Sequence, residues 1–409
     1  MADASGKGML SFEGALARIV DVEPIGATER VHLSQAAGRI LAEDVNAQLD
    51  QPPQAVSSMD GYAVRAEDLK NADKCLEVIG AIAAGDMPGL FSISEGQAAR
   101  IFTGAPIPVG ADSVVIQENV VPQRDDTIMV NGEVTSGAYV RPEGYDFRVG
   151  ATVLPAQHAM RSSDLSLAAA SGRHEVTVLR KPRVAVISTG NELVAPGTIP
   201  QPGQIIASNA LGVCALVESF GGEPLDLGIA RDDMADLKAR FEQANKVQAD
   251  VIVTLGGASV GDHDLVRPAL IDLGAQLDFW KVAVRPGKPL MFGKLGQTKL
   301  LGLPGNPVSS LVCAHIFLQP LLNALLGLSS VLTMKTGVLA SDVSANGPRR
   351  HFMRAVRVGQ HNGEETIKPL ADQDSSLLSA LSKADVLINI PPHQAHLSAG
   401  APCQYLLLN

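Results

Sequence analysis

Between residues 178 and 328 the chain alternates short, continuous apolar runs with helical stretches, and this constrains the fold more than any other feature. Arg183 to Ser188 (Arg-Val-Ala-Val-Ile-Ser) leads into Thr189-Gly190, and Asp250 to Thr254 (Asp-Val-Ile-Val-Thr) leads towards Gly256-Gly257. Pro224 to Gly228 reads as a third, shorter strand, and residues 207–220 and the amphipathic stretch 233–243 read as helices between the strands. Strands that are apolar on both faces belong to parallel sheets covered by helices on either side. The fold class expected is therefore α/β and multidomain, around a central doubly wound, mostly parallel sheet.

The flanks read differently. Residues 11–21 and 160–172 have helical spacing, whereas residues 51–141 are rich in Gly, Pro and short β-like runs such as Leu76 to Ile79 and Ser113 to Ile116. The tail from 329 returns to alternating strands and turns. The domains expected are a discontinuous N-terminal helical linker domain (8–50 with 142–177), a β-rich insertion (51–141), the α/β domain (178–328) and a small C-terminal β-domain (329–409). Val308 to Leu328 carries no charge and is long enough to span a bilayer, but Ser309, Ser310, His315, Gln319 and Pro320 within it point to a buried core helix kinked near Pro320.

Composition excludes several classes of function. With a formal net charge of -10 and 4% aromatic residues, the 409-residue chain lacks the basic, base-stacking surface of a nucleic-acid binder. Its 4 cysteines form no CxxC pair, which argues against a zinc site and suits reduced thiols in the cytosol. The N-terminus has no apolar stretch of the secretory type, so a cytoplasmic protein without a membrane partner is expected.

Ligands of open α/β sheets bind beyond the carboxyl ends of the strands. One such end carries Gly190-Asn191-Glu192; another carries Gly256, Gly257, Ser259 and Gly261, followed by Asp264. Glycines allow close backbone approach, and consecutive N–H groups can cradle an anion. The loop is neither a GxGxxG fingerprint nor a Walker A loop, which disfavours a nicotinamide enzyme and a P-loop ATPase. Lys281, Arg285 and Lys288 punctuate an apolar segment that ends in a Pro-Gly turn. If this segment is one strand, Lys281 and Arg285 share a face suited to an oxyanion or to edge protection. Pro304 and Pro307 flank a Gly-Asn turn ahead of the apolar helix, whose N-terminus favours anions. Glu192, Asp232 and Asp264 each follow a strand of the same domain; carboxylates facing phosphate need a counter-cation, and Mg²⁺ is the usual bridge. No Ser-His-Asp or Cys-His constellation is legible.

Six motifs then appear in order: Ser58-Met59-Asp60-Gly61-Tyr62-Ala63, Thr103-Gly104-Ala105-Pro106, Ser188-Thr189-Gly190-Asn191-Glu192-Leu193, Gly256-Gly257-Ala258-Ser259-Val260-Gly261, Pro286-Gly287-Lys288-Pro289 and Gly302-Leu303-Pro304-Gly305-Asn306-Pro307. Together they resemble the MoeA-like molybdopterin molybdenumtransferases, a family that includes the C-terminal region of gephyrin. The resemblance implies a homodimer of four-domain subunits with a shared active site, and an α/β domain like that of molybdopterin adenylyltransferases. It implies a reaction in which adenylylated molybdopterin and molybdate give the molybdenum cofactor and AMP, with Mg²⁺ required. It leaves open contact with molybdopterin adenylyltransferase and with cofactor-receiving enzymes.

The resemblance assigns functional roles to Asp60, Thr103, Asp146, Glu192, Asp232, Asp264, Lys281, Arg285, Lys288, Pro304 and Pro307, and implies Arg354 and Ser375 as molybdate contacts; of the strand-end acids, Asp232 and Asp264 are the candidate Mg²⁺ ligands. Two departures stand out: Arg285 where the family commonly has Lys, and Asp374 beside Ser375 where it commonly has Gly. The competing readings are a molybdopterin adenylyltransferase and a non-catalytic pterin-binding scaffold. The Ser-Met-Asp-Gly-Tyr loop with the extra domains argues against the first, and the retained acids and cations argue against the second.

Overall fold

The computed structural model describes residues 9–70, 75–257, 265–361 and 363–408. They fall into two compact units, one formed by residues 28–178 and one by the flanking segments.

The smaller unit carries a six-stranded sheet in the order Ser113–Ile116, Gly61–Val64, Gln97–Ile101, Cys75–Ile82, Thr127–Val130 and Val120–Pro122. Val64, Leu76, Ala98, Val115 and Ile128 fill one side of it. A separate cluster gathers Val31, Leu41, Val45, Leu154, Met160, Val176 and Val178 around the helix Ser162–Ala170. At the start of that helix the buried Asp164 carboxylate accepts from the Arg161 backbone N–H at 2.7 Å and also meets His158 Nε2 at 2.7 Å.

The larger unit centres on a six-stranded sheet, ordered Glu223–Ala230, Arg183–Thr189, Val251–Leu255, Thr298–Leu303, Pro289–Leu295 and Gln276–Lys281. The first four strands are parallel and the last two add antiparallel pairings. The apolar runs are buried because both faces are covered. Val184, Val186, Val251 and Val253 face the helix Asn209–Ser219 and the long apolar helix; Ala185, Ile187 and Ile252 face the helices Met234–Lys246 and Val266–Asp272. The chain leaves Arg183–Thr189 towards one neighbour, Glu223–Ala230, and returns to the other, Val251–Leu255. The switch point therefore lies between the ends of Arg183–Thr189 and Val251–Leu255.

The apolar segment is one continuous helix from Pro307 to Leu325, and 78% of its most apolar window is buried inside the molecule. Its irregularity is a π-helical turn at Ala314–Leu318, just before Pro320. Proline has no N–H to donate and its ring crowds the carbonyl four residues earlier, so the helix widens there. The tail forms a second sheet in which Arg350–His361, Glu364–Pro369, Lys335–Leu339, Pro402–Leu407 and Val386–Ile390 pair in turn and Val386–Ile390 pairs back to the first, closing a small barrel over Ala355, Ile367, Ile388 and Tyr405.

The helix Phe12–Ile19 does not join the linker domain expected for residues 8–50; residues 10–27 belong to the larger unit. The Phe12 ring lies 5.4 Å from that of Phe317 and 5.1 Å from that of Phe352, and Glu13 pairs with Arg350. Periodicity identified an amphipathic helix but not the surface it would cover. Phe12→Ala is expected to destabilise the larger unit by about 3–5 kcal/mol, since this ring is 6% exposed and its loss leaves a cavity. Denaturant unfolding measures this, and a loss below about 1 kcal/mol would mean that the helix is not part of this core.

Candidate functional site

In the smaller unit the first two motifs meet. Asp60 Oδ1 accepts from both the backbone N–H and the hydroxyl of Thr103, each at 2.8 Å, and Gly104 N–H donates to Ser57 O at 2.8 Å. These bonds, foremost the Thr103 backbone N–H, hold the Asp60 carboxyl below its usual range, with a smaller contribution from Arg100. Gly61 has no alternative: a Cβ there would fall 1.9 Å from the Val115 carbonyl oxygen of the next strand. The Arg100 guanidinium lies 5.0 Å from the Tyr62 ring centroid and 5.2 Å from that of Phe102. It is a residue of this site that no motif flagged. Asp146 is exposed in the same unit, its N–H donating to Gln51 O at 2.8 Å.

In the larger unit the strand ends align. Thr189 pairs with Ala230, Ser188 with Leu255, and Leu255 with Leu303, so the segments that follow crowd one sheet edge. Asn191 N–H donates to Asp232 Oδ2 at 3.3 Å and Asp232 N–H donates to Asn191 Oδ1 at 3.1 Å, locking two strand-end turns together. Glu192 is exposed in the next position. Gly256 N–H donates to Leu303 O at 3.1 Å. A Cβ on Gly256 would sit 2.9 Å from the Thr189 carbonyl, and one on Gly257 would sit 2.0 Å from Val266 Cγ2. With φ of +99° and +63°, both positions need glycine. Ser259, Gly261 and Asp264 lie outside the described residues.

Pro304 is buried and Pro307 opens the apolar helix. Between them Gly305 O accepts from Asn209 Nδ2 at 2.7 Å, and Asn306 Nδ2 donates to Ser375 Oγ at 2.8 Å. Val308 N–H donates to Ser375 O at 3.2 Å. Ser375 of the barrel thus sits at the helix N-terminus.

Arg354 lies within the C-terminal domain. Its side chain is 1% exposed, and the guanidinium donates to the carbonyls of Leu377, Asp372 and Asp374 at 3.0–3.2 Å. It braces the loop that carries Ser375. Asp374 is exposed, its Oδ1 accepting from Ser376 N–H at 2.8 Å and from Ser376 Oγ at 2.6 Å.

Lys281 and Arg285 do not share one strand. Lys281 ends a strand of the central sheet, whereas Val284–Arg285 pairs with Arg350 and His351 of the barrel. The segment changes sheets because Val282 and Val284 are both buried in the core between them, and Leu10 N–H donates to Lys281 O at 3.0 Å. Lys288 O accepts from Val282 N–H at 3.1 Å across the same hairpin, and Arg285 and Lys288 are exposed.

Beside Arg285 opens a polar cleft of about 580 Å³, with Asn346, His351, Asp372 and Asp374 on its walls. His351 was not singled out from the sequence, since a lone histidine in an alternating strand carries no motif. Burial, then Arg285, Arg349 and Arg354, pushes its pKa down to about 4, and burial alone does the same to His315 in the apolar helix. Both folded values lie below the unfolded value of about 6.5. The folded chain therefore binds fewer protons in that window, and stability is complete above about pH 6.5 and declines towards pH 4. The expected loss is up to about 3 kcal/mol per histidine. Denaturant titrations at pH 7 and pH 5 check this; His351→Gln should reduce the difference, and an unchanged difference would contradict the assignment.

Residues 10–172 match the MoeA N-terminal region (domain I and II), 185–324 a probable molybdopterin binding domain, and 336–408 the MoeA C-terminal region (domain IV). A molybdopterin molybdenumtransferase of Haemophilus influenzae is 36% identical over 96% of this chain and 97% of its own length. The chain belongs to the molybdopterin molybdenumtransferase family. A second family member, from Mycobacterium tuberculosis, is 36% identical over 91% of this chain and 93% of its own length. The crystal structure of a molybdopterin biosynthesis protein from Pyrococcus horikoshii superposes with a TM-score of 0.82 at 29% identity, covering 98% of this chain and 100% of that one. The adenylyltransferase reading is not favoured, because family members carrying the N- and C-terminal regions as well as the α/β domain are named molybdenumtransferases.

Among the described residues, no three His, Cys, Asp or Glu side chains gather closely enough to hold a metal ion unaided. Mg²⁺ is held in many phosphate sites by one or two carboxylates plus phosphate oxygens and water, and Asp232, half-buried with its Oδ2 accepting from Asn191 N–H, suits that kind of donor set.

Proposed function

We propose that this chain is an enzyme that inserts molybdenum from molybdate into adenylylated molybdopterin, forming the molybdenum cofactor and releasing AMP. The observation that carries the reading is end-to-end similarity to molybdenumtransferases, combined with a strand-end edge where glycine turns, carboxylates and cations belong to one unit. The substrate carries a diphosphate and molybdate is a dianion, so bringing them together requires positive charge. Lys281, Arg285 and Lys288 supply it, and the N-terminus of the apolar helix at Pro307 adds a partial charge of the same sign. Gly256 and Gly257 let the backbone approach the substrate closely. Breaking the phosphoanhydride leaves negative charge on AMP, which the same cations stabilise. Asp232, with Asp264, would hold Mg²⁺, and the ion would supply further charge neutralisation at the diphosphate. In the smaller unit, the Thr103 bonds keep Asp60 ionised.

The working protein in this reading is a cytoplasmic homodimer whose active site is shared between subunits. Mixing inactive Asp60→Ala with inactive Asp264→Asn chains should then return about half of wild-type activity per heterodimer, since one of its two sites keeps both acids. Verified heterodimers without activity would contradict the shared site. The reaction itself is tested by supplying the product to a cofactor-free molybdenum enzyme: activation that depends on this chain and on molybdate supports the reading, and its absence removes it.

A further inference from the structure

The strands Gln276–Lys281 and Thr298–Leu303 are both antiparallel to Pro289–Leu295 and so run in the same direction. Lys281 therefore ends at the same sheet edge as Thr189, Leu255 and Leu303. Trp280, the chain's only tryptophan, stands before it, half-buried against the second core cluster. Two cations address this ring: Arg267 Cζ lies 4.2 Å from the centroid and Lys281 Nζ lies 6.0 Å from it. Arg267 is exposed, and among the described residues neither cation has a carboxylate partner. Val266, the residue before Arg267, is the side chain that approaches Gly257 so closely.

Two like charges on one ring, with no described acid between them, gain from an anion that bridges them. A guanidinium stacked by its face on an aromatic ring keeps its N–H donors pointing outward in its own plane, where they can grip an oxyanion in a fork. We propose that Arg267 is a further substrate-binding residue, held in place by Trp280 so that it engages the diphosphate of adenylylated molybdopterin beside Lys281. The proposal rests on the molybdenumtransferase reading above.

The test measures the affinity of the full chain for adenylylated molybdopterin by isothermal titration, with KM and kcat from AMP release. Arg267→Gln is expected to weaken binding and raise KM by about tenfold while kcat stays within about threefold. Trp280→Leu, which removes the platform but leaves the arginine, should give a similar loss, and Trp280→Phe should rescue most of it. Circular dichroism confirms folding of each variant. Unchanged affinity in Arg267→Gln would overturn the assignment, and loss there with none in Trp280→Leu would overturn the positioning by the ring. No measurable affinity in the wild-type chain would instead remove the functional reading itself.

Discussion

Gly257→Ala is expected to lower kcat/KM for adenylylated molybdopterin by about a hundredfold or more while leaving the chain folded. The added methyl would lie 2.0 Å from Val266 Cγ2 and 2.7 Å from Val266 Cβ. Val266 is branched at the point of contact, is 1% exposed and packs in the core, so it cannot swing aside. At φ +63° a side chain is also strained, by roughly 1–2 kcal/mol. The turn must move instead, and a shift of about 1 Å in a group that positions substrate costs about a hundredfold in rate. The strands beneath it are held by continuous pairing from Val251 to Leu255, so the damage stays local. Steady-state kinetics with a thermal melt decides the matter: activity within about tenfold of wild type would place this turn outside the reacting region.

Lys281→Ala and Arg285→Ala are each expected to weaken binding of the anionic substrates by about ten- to a hundredfold at low salt, the usual cost of losing a charge-assisted hydrogen bond. The two sit on different sheets but on one short segment, so their losses should add only in part if they grip the same oxyanion. Raising the ionic strength should weaken wild-type binding more than that of either variant, because screening acts on charge that the variants have already lost. Titration calorimetry at two salt concentrations measures both effects. Unchanged affinity in both variants would reduce the cations to a charged strand edge.

The legible parts of this fold were those whose signal is local. Strands buried on both faces announce themselves as unbroken apolar runs, and Asp233 to Gln243 has helical spacing behind an aspartate that does cap the helix, accepting from Ala235 N–H and Asp236 N–H at 3.0 Å. Partner choice was not legible. The spacing of Phe12, Leu16 and Ile19 gives a face without naming the core that it enters, so the helix was assigned to the wrong segment. The same limit acted at Lys281 and Arg285: alternation suggested a single strand, and only the burial of both Val282 and Val284 reveals the crossing between sheets. The three backbone carbonyls around Arg354 were likewise not legible, because the fold brings them there. His351 and Arg267 left no trace in the sequence because their settings, burial beside three arginines and a tryptophan ring, are made by the fold.

The most direct measurement of the central claim is the stoichiometry of a single turnover. The purified chain is mixed with adenylylated molybdopterin, Mg²⁺ and molybdate, then quenched, and AMP and pterin-bound molybdenum are counted together. The account predicts that both appear at one rate, one AMP for each molybdenum captured, and that omitting molybdate suppresses AMP release. AMP formed at full rate without molybdate, or pterin bound with neither product formed, would contradict it.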